Sequence, residues 1–173
     1  GVAGAMYFGN TSSISERSAN TLVCAVGTHG GEPEAGFDPI MGWGSEMGTQ
    51  SLIQSTLFKK DHNLTFQNDL ATNYTTSPDL KQWNVTIRPD VKFSDNTSLT
   101  AKDVAFTYNK AKESGAACDL SSMNNATAIN KTTVQFNLNE TDSTFKDKLC
   151  DVGIVPSATY NNETYGSNPI GSG

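Results

Sequence analysis

The sequence predicts an α+β fold in which antiparallel strands carry two or three helices on one side. Three observations predict it. Residues 81–88, KQWNVTIR, alternate Trp83, Val85 and Ile87 with polar neighbours, the period of two of a half-buried strand. Residues 132–138, TTVQFNL, do the same at Val134, Phe136 and Leu138. Between them, residues 101–114 place Val104, Phe106, Tyr108 and Ala111 as the apolar stripe of a helix.

The remaining elements follow in chain order. Residues 21–26, TLVCAV, are a short β-rich run ending at Gly27. The next stretch, GTHGGEPEAGFDPIMGWG, is too rich in Gly and Pro for regular structure, and loops this long are usually functional. Residues 45–58 put Met47, Leu52, Ser55 and Phe58 roughly on one face, which predicts a helix capped by Ser45. Residues 64–66 (LTF) predict a short strand and residues 70–71 (LA) a turn. Pro78-Asp79 and Pro89-Asp90 are turn signals on either side of the 81–88 strand. Val91 and Phe93 predict a short second strand. Thr100 followed by Asp103 is a capping box for the 101–114 helix, and Gly115 is its stop. Residues 116–128 are small and polar and predict a loop with a helical turn. Residues 142–150 predict a short helix, residues 152–155 (VGIV) a buried strand ended by Pro156, and residues 157–160 one helical turn. The closing GSNPIGSG has only Ile170 as a core anchor.

The 173 residues suffice for one domain with a sizeable core. A net charge of −6 argues against nucleic acid or an anionic membrane surface as partner, since both require clustered Lys and Arg. Charged residues are only 17%, so Asn, Thr and Ser must solvate the surface. They form N-x-S/T acceptor sequences at Asn10, Asn63, Asn73, Asn84, Asn96, Asn125, Asn130, Asn139 and Asn162, which points to a glycosylated cell-surface protein. An Asn/Thr-rich chain also produces several such sequences by chance.

No apolar run reaches the ~18 residues of a membrane span. The apolar GVAGAMYF followed by polar NTSSISERSAN reads as the end of a signal or anchor segment joined to a tether. Cys24 reads as a buried thiol, whereas Cys118 and Cys150 each follow a helix and either pair or stay free.

Catalytic motifs are weak throughout. No H-E-x-x-H or H-x-H spacing accompanies the two histidines, no G-x-S-x-G elbow is present, and no G-K-[ST] follows G-T-H-G-G-E. His62, in KKDHN, reads as solvated. His29, close to Glu32 and Glu34, is either a loop histidine in water or a ligand for a divalent metal. Trp43, between glycines in MGWG, is either a recognition platform or a cover for the sheet, whereas Trp83 reads as core.

Several motifs in order resemble the family 5 extracellular solute-binding proteins, the peptide, dipeptide and nickel receptors of ABC importers. They are Phe37-Asp38-Pro39, the Leu57-Phe58 pair, DLAxxY from Asp69 to Tyr74, SPDLKQWNVTIRPDVKFSD, LTAKDV, TVQFNL, the element from Gly153 to Pro156, and the terminal NPIGSG. One departure is Asp95-Asn96 where the family usually has Asp-Gly; Asn tolerates the positive φ such a turn needs.

The resemblance implies the small subdomain of lobe I of a two-lobe periplasmic-binding-protein-like fold, with a mixed or antiparallel sheet. It divides the chain into an anchor remnant and tether (1–20), the first strand and ligand-facing loop (21–44), the small α+β subdomain (45–150) and a return to the main sheet (151–173). Family members continue into a second lobe, so the chain is expected to be an N-terminal part. The expected function is extracytoplasmic capture of nickel, as a chelate, or of short peptides for delivery to ABC permease subunits. No enzymatic step and no cofactor are expected, with nickel entering only as cargo. Carried over by position, the resemblance places His29, Glu32, Glu34, Trp43, Glu46 and Met47 near the ligand, with His29 as the candidate metal ligand. The alternative is a glycosylated surface module without a transport ligand. A strand at 21–26 and a terminal segment without sheet partners would leave an exposed edge that invites dimerisation.

Overall fold

The computed structural model describes residues 36–41 and 53–172, all within the unit Pro33–Gly173. The expected strand at 21–26, most of the Gly-rich loop, Cys24 and the Ser45 cap lie outside the described residues. Among the described residues the order is β1 (Phe58–Lys60), β2 (Phe66–Asn68), β3 (Ala71–Thr76), β4 (Gln82–Ile87), α1 (Ala101–Ser114), β5 (Met123–Ala128), β6 (Thr133–Leu138) and α2 (Phe145–Lys148). Strands β1 and β2 form an antiparallel pair, and a four-stranded antiparallel sheet has the order β3-β4-β6-β5. This is the α+β class that the sequence predicts.

Register sorts the two faces of the larger sheet. The rows Tyr74–Val85–Val134–Ala128 and Thr76–Trp83–Phe136–Ala126 face the core, where α1 packs against β5 and β6. The rows Asn73–Thr86–Thr133, Thr75–Asn84–Gln135–Thr127 and Gln82–Asn137–Asn125 face the other way. Because side chains alternate along a strand, a single face collects nearly all the apolar residues and the other only amides and hydroxyls. The core continues as a run of ring contacts: Tyr74 stacks on Trp83, Trp83 meets Phe145, Phe145 meets Phe136, and Phe136 meets Tyr108 edge-on at 5.0 Å. The Trp83 indole N–H donates to the Leu80 carbonyl at 3.1 Å.

Helix α1 begins and ends where its signals lie. The Thr100 amide donates to Asp103 Oδ2 at 2.9 Å, the acidic half of a capping box. Gly115 closes the helix at φ 67°, donating to the Ala111 carbonyl at 2.9 Å. Asn96 adopts φ 68°, and the Phe93 amide bonds the Thr97 carbonyl across that turn.

Five expectations need correction. Residues 53–57 are not helical, because their backbone groups are taken by distant partners: the Ser55 carbonyl by the Ile154 amide, that of Thr56 by Leu70, and that of Leu57 by Asp69 and Ala71. Residues 152–155 are buried yet form no ladder, since Ile154 bonds Ser55 and Val155 donates instead to the Thr107 hydroxyl at 3.1 Å. Val91 and Phe93 flank a single bridge, Lys92 to Ser98, rather than lying in a strand. Residues 70–71 open β3 instead of turning, and the 116–128 region contains β5. Both of these strands carry a register irregularity, at Ala71/Asn73 and Met123/Asn125, which breaks the alternation that would have revealed them. Phe58, expected as the last residue of the 45–58 helix, instead opens β1.

Candidate functional site

The six residues expected near a ligand, His29, Glu32, Glu34, Trp43, Glu46 and Met47, all lie outside the described residues. The structure does describe residues 36–41, the stretch of the Gly-rich loop between them, and the seat on which that stretch is held. Gly36 has φ 56°, and a Cβ there would come within 2.6 Å of the Gly166 carbonyl oxygen, so only glycine fits. The Phe37 amide donates to that same carbonyl at 3.1 Å.

Asp38 is the centre of the seat. It is fully buried; Oδ1 accepts from the Ile40 amide at 2.9 Å and Oδ2 from the Tyr160 hydroxyl at 2.7 Å. Burial raises its pKa above the ordinary carboxyl value, against the lowering effect of the bonds from Tyr160, Ile40 and Met41. Burial, and then the bond to Asp38, raise the Tyr160 phenol in turn. Gln54 donates to the Phe37 carbonyl at 3.0 Å and to the Tyr165 hydroxyl at 3.1 Å, and Tyr165 donates to the Ile170 carbonyl at 2.6 Å. Burial pushes the Tyr165 phenol up to about 12. The Ser114 hydroxyl, at the end of α1, donates to the Ile40 carbonyl at 2.7 Å. A loop segment without secondary structure is thereby fixed from both sides.

Beside the seat lies an open groove in which Ile40, Met41 and Phe106 meet the Lys110–Glu113 ion pair and Tyr160. Among the described residues no three His, Cys, Asp or Glu side chains converge as a metal site would require. Burial pushes the Cys118 thiol up to about 12 and the Cys150 thiol up to about 11, so neither is a thiolate near neutral pH. Both are free in the structure. The sequence reading missed Asp38, Gln54, Tyr160 and Tyr165 as parts of this site. The available signals were Asp38 in the Phe37-Asp38-Pro39 motif and the two tyrosines, Tyr160 and Tyr165, in the mostly polar residues 157–168.

Comparisons with known proteins place this geometry. The family described as bacterial extracellular solute-binding proteins, family 5 Middle, matches residues 65–173. A protein named as a binding protein in Brucella melitensis is 31% identical over 134 residues, which is 71% of this chain. The chain spans 22% of the length of that relative. Among solved structures, MoaA with mannopinic acid from A. tumefacien R10 superposes with a TM-score of 0.70 at 23% identity, over 80% of this chain and 31% of that one. NikZ from Campylobacter jejuni with Ni(L-His) gives 0.64 at 24% identity, over 70% and 26%. The oligopeptide-binding protein AppA from Bacillus subtilis with a nonapeptide gives 0.64 at 24%, over 83% and 31%. At these identities the structures attest the fold. None of these comparisons favours a surface module without a ligand, or a dimer.

Proposed function

Because the chain belongs to the bacterial extracellular solute-binding proteins of family 5, we propose that it forms part of the ligand-capturing lobe of an ABC-importer receptor working outside the cytoplasmic membrane. The family match over residues 65–173 carries this reading, and the fold agrees with it. The ligand is a nickel chelate or a short peptide, and the receptor hands it to the permease after the two lobes close around it. His29, Glu32, Glu34, Trp43, Glu46 and Met47 contribute the ligand-facing wall from this lobe, with His29 on the metal. The Asp38 seat supports the proposal by fixing the segment between Glu34 and Trp43, which limits the ordering cost of binding. A preceding apolar segment tethers the receptor to the membrane; no helix among the described residues is long and apolar enough to cross one.

Titration calorimetry of the intact protein tests this, with Ni²⁺ alone, Ni²⁺ plus free histidine, and a panel of di- and tripeptides. Nickel binding that disappears in His29→Ala identifies a nickel receptor with its site in the Gly-rich loop. Peptide binding indifferent to His29→Ala moves the site to the other cleft walls. No binding from either class contradicts the reading.

A further inference from the structure

We infer that the outer face of the four-stranded sheet is a glycan-bearing face, with N-linked oligosaccharides on Asn73 and Asn125 and none on Asn84. The inference rests on the extracytoplasmic reading above, because the transfer needs a membrane-bound transferase acting outside the cytoplasm.

Geometry makes the three acceptors comparable. Each lies inside a strand, and residues two apart in a strand share a face. Asn73 and Thr75, Asn84 and Thr86, and Asn125 and Thr127 therefore present their acceptor amides and their hydroxyls together, on the face away from α1. That face has neither charged nor large apolar side chains in its three cross-strand rows. A solvated sheet face without charge is unusual, and a face that carries sugar needs none.

The three differ in how far they can be reached. Asn73 lies on β3 and Asn125 on β5, the two edge strands, and both are exposed. Each directly follows its strand's register irregularity, where the backbone bends away from the ladder. Asn84 lies on β4 between β3 and β6, is half-buried, and accepts a bond from Gln135 Nε2 at 3.2 Å. Asn125 Oδ1 likewise accepts, from Asn137 Nδ2 at 2.8 Å, so both bonds engage only the amide oxygen, and edge position with exposure is what separates Asn125 from Asn84. The two edges are otherwise guarded unequally. ATNYTT and MNNATA contain no charge and no proline, the devices that commonly keep strand edges from pairing with other chains. On β5 the Asn109 side chain of α1 bonds both the amide and the carbonyl of Ala126, and Lys112 donates to the Asn124 carbonyl, whereas on β3 Asn68 donates to the Thr72 carbonyl. A glycan on Asn73 would add cover along the β3 edge.

In the transfer, Asn Nδ2 attacks the anomeric carbon of a lipid-linked phospho-oligosaccharide. The new Nδ2–C1 bond forms as the C1–O bond to phosphate breaks. The phosphate leaves with the electron pair, and one Nδ2 proton passes to a base of the transferase.

The test is site-resolved mass spectrometry of peptides from the protein isolated from its source cells, after separation of cytosolic and extracytoplasmic fractions. Expected are glycan masses on most Asn73 and Asn125 peptides and none on Asn84 peptides. Thr75→Ala and Thr127→Ala each remove the mass from one site, while Thr75→Ser and Thr127→Ser keep it, so loss of modification is separated from loss of fold. Extracytoplasmic protein with either Asn73 or Asn125 bare, or with Asn84 equally occupied, overturns the proposal and leaves the receptor reading intact. Protein confined to the cytosol overturns both.

Discussion

The described chain buries its apolar side chains in two places, and they are built differently. On the sheet side, side chains from β3, β4, β6, β5, α1 and α2 meet in one large cluster around Tyr108, Phe136 and Phe145. Regular backbone ladders supply the frame, and the side chains follow from a period of two or of 3.6. On the loop side, Ile40, Val155 and Tyr165 form a small cluster with Phe106, Tyr160 and Ile170 packed around it. There the frame consists of isolated bonds across long sequence separations, chiefly from side chains, with 122 residues between Tyr160 and Asp38 and 111 between Gln54 and Tyr165, plus the one backbone bond from Phe37 to Gly166. A ladder averages the loss of one bond over many. A frame of single bonds does not, so each polar residue on the loop side should matter more than a polar residue on the sheet.

The largest effect is expected where the sheet side is densest. Phe136→Ala removes a fully buried ring that touches both Tyr108 and Phe145 and should cost about 3–5 kcal/mol. Urea unfolding would read it as a fall in midpoint at unchanged slope.

On the loop side, Gly171→Ala drives a Cβ into the Ile53 carbonyl and should cost about 1–3 kcal/mol, displacing the Ile170–Tyr165 contact while the sheet amides stay protected from hydrogen exchange. Loss of protection spread equally over β4 and β6 would show that the two clusters are one cooperative unit. Asp38→Ala leaves the Ile40 amide without its acceptor and should cost about 1–3 kcal/mol, again local to the loop side.

Acid separates the two sides by sign. The Asp38 carboxyl is raised above 3.8 by burial, so the folded state holds that proton more tightly; its stabilising contribution is present at low pH and is lost as pH rises from 3.8 through the folded value. Asp142, beside α2, is also opposed by burial, but bonds from Lys148, Thr144 and Ser122 prevail and hold it well below 3.8. Its contribution is complete above 3.8 and is lost as pH falls from there toward the folded value. Asp38→Asn should therefore lose stability relative to the parent as the pH falls toward about 4, whereas Asp142→Asn should recover relative stability as the pH falls further below about 4. Parallel profiles for the two variants would contradict this assignment.

The smallest effect is expected at Lys146, whose ammonium lies 4.4 Å from the Phe66 ring centroid and 4.8 Å from that of Tyr74. Lys146→Met keeps the chain length, removes the charge and should cost about 0.5–1 kcal/mol.

Legibility in the sequence follows the same division. Helix α1 and strands β4 and β6 lie within a residue of where periodicity and capping put them, because their signals are local: Thr100 and Asp103 at one end of the helix, Gly115 at the other, alternation in the strands. Strands β3 and β5 were hidden because a bulge shifts their alternation and their outward residues are amides and hydroxyls, a composition equally at home in loops. Residues 53–57 carried a plausible helical spacing, but their carbonyls serve Ile154, Asp69, Leu70 and Ala71. The expected ligand residues came from family resemblance and lie outside the described residues, so the seat beneath them is the part of the site that the structure adds.

The sequence by itself therefore determined the class, the central elements and the family, because each rests on residues adjacent or regularly spaced along the chain. Only the tertiary structure decided the loop-side seat. Asp38, Gln54, Tyr160 and Tyr165 become partners when folding brings together segments more than a hundred residues apart, and no periodicity along a chain encodes a contact at that distance.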